Sequence, residues 1–109
     1  TPDVRAWVDR MLAIGHGEHT PMTASDAIRV AHLAKPAAVD PEQFFQDEHG
    51  IPLGSPVVIQ AESFGTEPSA GDLVAATRTR YTIRRTDPRA GTVHVHFPRI
   101  GFVMKKAGA

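Results

Sequence analysis

There is no cysteine anywhere in the 109-residue chain. That excludes disulfides, thiolate nucleophiles and cysteine-based zinc or iron–sulfur centres, and it argues against a secreted disulfide scaffold; a reducing cytoplasm is the expected location. Long apolar runs are missing too. Nothing approaches the roughly 18 consecutive apolar residues of a membrane-spanning helix, so no membrane partner is expected. The chain opens on Thr1-Pro2 with no initiator Met and no charged-then-apolar stretch of the kind that directs secretion. The expectation is that it starts inside a longer protein. Aromatic residues are few as well, with one Trp, one Tyr and five Phe.

Net charge is zero, but the zero is a sum of opposites. Residues 1–53 hold four Lys/Arg against eight Asp/Glu, and residues 54–109 hold eight against four. Attraction between the two halves accounts for this more simply than an acidic partner does, because the basic excess is mild for a nucleic-acid binder.

Two helices are predicted in the acidic half. Thr1 is placed to accept the N-cap hydrogen bond, Pro2 suits the first helical position, Asp3 favours the positive helix end, and Gly15 stops the helix. Between them Val4, Trp7, Val8, Met11 and Leu12 recur at three and four residues and make one apolar stripe. A helix of this length cannot hide that stripe alone, so it expects a helical partner from sequence not present here. Thr23 with Asp26 three residues on resembles a capping box and opens a second helix. Ala27, Ile28 and Ala31, with Val30 and Leu33, supply its apolar face, and Pro36 ends it. Residues 36–54 are rich in Pro and Gly and read as a connector, with one short helical turn expected at Asp40-Pro41-Glu42 carrying Phe44 and Phe45.

Past Gly54 the period changes. Strands are expected at Val57–Glu62, Leu73–Ala76, Arg80–Thr86, Thr92–Phe97 and Gly101–Met104, each bounded by Gly, Pro, Asp or Ser. The firmest turn is Asp87-Pro88-Arg89-Ala90-Gly91, with Asp to open it and Gly to close it at positive φ. Five strands this short suggest a closed barrel, since closure removes exposed edges. The fold class is therefore α+β: a helical segment at 1–35, a connector at 36–54, and a small five-stranded, SH3-like antiparallel barrel at 55–106.

Few residues suggest chemistry. His94 and His96 lie two apart on a predicted strand and share a face, the way a strand offers two imidazoles to a metal. No third ligand is fixed in place, because His16, His19, His32 and His49 lie in the helical half or the connector. The favoured reading puts both imidazoles on a solvated face, with no metal. Arg78, Arg80 and Arg84 head a set of six arginines and are the candidates for contact with a polyanion; a small basic barrel binding nucleic acid is the alternative function. Solvated or domain-docking roles suit these arginines better, as so few aromatic platforms accompany them. Ser25, Ser55, Ser63 and Ser69 sit in no nucleophile-elbow sequence, and Gly15-His16-Gly17 closes a helix instead of opening one for a phosphate. The Trp7, Met11 and Leu12 stripe reads as core in preference to a ligand pocket. No complete catalytic apparatus is present.

Two stretches carry a family resemblance. Pro2-Asp3-Val4-Arg5-Ala6-Trp7-Val8-Asp9-Arg10-Met11-Leu12-Ala13-Ile14-Gly15-His16-Gly17 resembles the late helix of the all-α C-terminal domain in bacterial glutathione S-transferase-like proteins. Asp87-Pro88-Arg89-Ala90-Gly91-Thr92-Val93-His94-Val95-His96-Phe97-Pro98-Arg99-Ile100-Gly101-Phe102 is similar to the end of an extra C-terminal segment in a subset of them. The resemblance implies that 1–35 is the end of an all-α domain and that the barrel is an accessory or interaction domain. It also implies that glutathione belongs to the parent protein only, since no part of this chain matches the thioredoxin-like domain that binds it. No cofactor and no catalytic residue are expected here. The expected partners are that missing N-terminal domain and, for the parent, a second copy in a homodimer.

Overall fold

A computed structural model of the chain describes residues 1–40, 44–45 and 50–108. Helix α1 spans Pro2–Ile14 and α2 spans Ala24–Leu33. Five strands follow: β1 Pro56–Ala61, β2 Ser69–Ala76, β3 Arg80–Asp87, β4 Gly91–Pro98 and β5 Phe102–Lys106.

Both helix starts form as their caps dictate. The Thr1 hydroxyl accepts from the Val4 N–H at 3.3 Å. At Thr23 the box is reciprocal: its hydroxyl accepts from the Asp26 N–H, and the Asp26 carboxylate accepts from the Thr23 N–H. α1 ends at Gly15, whose φ of 72° takes it out of the helix. The helical turn expected at Asp40-Pro41-Glu42 lies largely outside the described residues, as does His49.

The strands make one antiparallel sheet in the order β4-β3-β2-β1-β5. β1 to β4 form a meander, and β5 returns to pair with β1, Ile59 lying opposite Met104. The β3–β4 turn is built by Asp87, whose carboxylate accepts from the Arg89 and Ala90 N–H groups at 2.8 and 2.9 Å. Those bonds, that from Ala90 foremost, hold the carboxyl below its ordinary value. Gly91 closes the turn at a φ of 76°.

Side chains alternate as the period-two pattern requires. Val57, Ile59, Leu73, Tyr81, Ile83 and Met104 are buried in one cluster, and Val95, Phe97 and Phe102 pack against it. The register slips between Leu73 and Ala75, leaving Val74 as the extra residue of a bulge. The slip has a close approach beside it. A Cβ on Gly71 would stand 2.5 Å from the Arg84 carbonyl oxygen, so only glycine lets β2 and β3 come this near.

One expectation fails. The sheet is not closed: β4 and β5 are its outer strands, with no ladder between them among the described residues. The link Arg99-Ile100-Gly101 carries β5 away from its hairpin neighbour to β1, so the two edges meet through side chains only, the Phe97 and Phe102 rings standing 5.5 Å apart. The outer strands are protected by other means. α2 packs against β4, and β5 is only five residues long and ends in exposed Lys105 and Lys106.

The helices are less well covered than their stripes demand. No residue of α1 is buried; Trp7 is 54% exposed and Leu12 70%. On α2, Ile28 and Ala31 are half-buried, whereas Val30 and Leu33 are exposed. No helix among the described residues is long and apolar enough to cross a membrane.

Candidate functional site

The turn at Asp87–Gly91 determines what faces what. From the pair Asp87–Gly91 the antiparallel register runs back to Arg84 opposite His94 and Thr82 opposite His96. Arg84 also lies opposite Asp72 on β2. Asp72, Arg84 and His94 thus form a polar row across three strands, on the face away from the core cluster.

That face is solvated at Arg84 and His96, which are exposed, but not at the ring nitrogens of His94. The residues after α2 run beside it, and Lys35, Pro36, Ala38, Arg84, Thr92 and His94 together line a cavity of about 600 Å³. A second hollow of about 580 Å³ continues past Ala38, Val39 and Leu53 to Asp72 and again touches Arg84 and His94. Both ring nitrogens of His94 are buried without a hydrogen-bond partner. The reason for the difference is α2. Its packing on β4 carries the connector across the strand and shields an imidazole that the period-two pattern alone would have left wet.

His96 is held differently. Its Nδ1 lies 2.8 Å from the hydroxyl of Thr82, a residue with no exposed surface. Burial, the charge of Arg80 and the neighbouring His94, in that order, push its pKa below the ordinary imidazole value. The two histidines are brought side by side, but no group of three His, Cys, Asp or Glu able to hold a metal occurs among the described residues.

The arginines separate by role. Arg78 lies with its guanidinium carbon 4.0 Å from the centre of the Phe45 ring. Arg99, in the His-Phe-Pro-Arg run, donates to the Phe45 and Thr77 carbonyls at 2.6 and 2.5 Å and lies over the Tyr81 ring. These two tie the connector to the far end of the sheet. Arg80 and Arg84 are exposed and lie four residues apart on one face of β3. Only Arg84 of the three polyanion candidates reaches the cavity. Lys35 and Asp72, which complete the charged surroundings of His94, were not singled out in the sequence; Asp72 is displaced into the row by the bulge at Val74, and a bulge leaves no periodic trace.

The described residues make an α+β chain with two capped helices ahead of an open five-stranded sheet. Comparison with solved structures gives this chain a relationship. The chain is similar to a GST-like protein from Pseudomonas syringae, with 42% sequence identity and a TM-score of 0.81 over 96% of this chain. It spans 37% of the length of that protein. No protein-family model matches the chain, and no curated protein matches it. The identity and the extent of the match support a GST-like relationship.

Proposed function

We propose that the chain is the C-terminal part of a bacterial, cytoplasmic glutathione S-transferase-like protein, itself non-catalytic, with its sheet serving as an accessory or interaction domain. The observation that carries this reading is the apolar stripe of α1. Val4, Trp7, Val8, Met11 and Leu12 are all exposed, in a chain that spans 37% of its GST-like neighbour. A stripe of this width is made to be covered, and the remaining helices of an all-α domain are the natural cover. The strand order, a four-stranded meander with its fifth strand returned to the first, supports treating the sheet as an unclosed relative of the SH3-like barrel. Glutathione and its co-substrate then belong to the parent protein, with Trp7 and Met11 at most neighbours of the co-substrate pocket.

The intact mass of the natural gene product tests the proposal. A product far above 11.8 kDa that binds glutathione, while the 109-residue chain alone does not, is the expected result. A stable natural product of 109 residues would end it.

A further inference from the structure

The accessory-domain reading leaves the polar face of the sheet unused, and that face holds an unresolved cost. A buried imidazole nitrogen without a partner is destabilising, so native structures keep few of them. His94 keeps two, and the residue is among those that line the cavity between connector and sheet. Arg84 opens on the same space, with an exposed side chain. Lys35 approaches from the connector. Two cations and an imidazole on one cavity repel a metal ion and suit an oxyanion, because a guanidinium presents a planar fork to carboxylate or phosphate oxygens and an imidazole N–H can donate to a third.

We propose that this cavity binds the carboxylate or phosphate group of a small organic molecule, with Arg84 and Lys35 supplying charge and His94 supplying a hydrogen bond. The space is larger than a bare anion fills. Its remaining walls, Pro36, Ala38, Val39 and Leu53, are apolar and match a short hydrocarbon portion attached to the anionic head. Asp72, at the far end of the row from His94, sets the charge limit: its carboxylate faces the second hollow beside Arg84 and opposes a second negative charge on the ligand. The site takes a molecule with one anionic group.

The test is an NMR titration of the isotope-labelled 109-residue chain with sodium phosphate and, separately, sodium acetate, with ionic strength held constant by sodium chloride. Saturable shifts at the His94 ring and the Arg84 amide, with the exposed His16 ring unmoved, are expected. Losing one charge-assisted hydrogen bond is worth about 1.5–3 kcal/mol, so Arg84→Gln and Lys35→Met should each weaken binding about tenfold or more. Response to phosphate alone assigns a phosphate head, to acetate alone a carboxylate, and to both a site reading only the oxyanion. Shifts that stay linear for both anions, or that persist unchanged in both variants, overturn the proposal. If Arg84→Gln fails to fold, Lys35→Met decides, since Lys35 is exposed on the connector and outside the core.

Discussion

The sheet and the first helix use their apolar residues in opposite ways. In the sheet Val57, Ile59, Leu73 and Ile83 have no exposed surface at all; in α1 every apolar residue of the stripe is exposed. Both segments carry the period proper to their structure, two in one and 3.6 in the other, so the difference is not one of pattern. It lies in supply. The sheet finds its opposing surface within itself, by returning β5 to β1, and the helix finds none among the described residues. A segment can thus be well specified locally and still be thermodynamically incomplete.

That contrast can be broken or sharpened by substitution. The largest effect is expected at Ile83→Ala, which empties the centre of the core and should cost about 2–5 kcal/mol in urea unfolding of the sheet. Gly71→Ala should follow at about 1–3 kcal/mol, because its Cβ meets backbone and not a yielding side chain; a neutral result would mean that β2 and β3 stand further apart than described. Lowering the pH should produce a smaller loss. His96 has a depressed pKa in the folded chain, so the unfolded chain takes up its proton first as pH falls. The stabilising contribution is complete above the ordinary imidazole value near 6.5, declines as pH drops below it, and levels off once the folded form is also protonated. Thr82→Val, which removes the hydroxyl at Nδ1, should change the shape of that pH profile. Smallest of all is Trp7→Ala, expected to shift the stability of the 109-residue chain by no more than about 0.5 kcal/mol. In the longer protein proposed above the same substitution should cost about 3–5 kcal/mol. Equal effects in the two settings would remove the case for a missing cover over α1.

Much of the fold was legible because the signals were local. The Thr1 and Thr23 caps, the Gly15 stop and the Asp87–Gly91 turn each depend on residues within a few positions, and the structure places the elements within a few residues of the expected bounds. β2 was the exception. It starts at Ser69 and not at Leu73, since Ser69, Ala70 and Gly71 lack the branched and aromatic side chains that mark strands. Closure was expected on grounds of edge protection, and it failed because α2 and the two lysines guard the edges instead. Of the cavity, only part could be read. A firm turn fixes its register, so Arg84 beside His94 was within reach of the sequence. The shielding of His94 was not, for it depends on where α2 sends the connector, and that is a property of tertiary packing alone.

The position of β1 bears on how the molecule is made. β1 is the first strand to be synthesised, yet it is an inner strand whose outer partner, β5, is the last, about forty residues later. Until Phe102–Lys106 leaves the ribosome, one edge of β1 has no ladder, and Val57 and Ile59 lack the cover that Met104 brings. β1 to β4 can pair in order as they emerge; the other edge of β1 has to wait. Such a late, long-range pairing slows folding and leaves a hydrophobic strand edge open to other chains in the meantime.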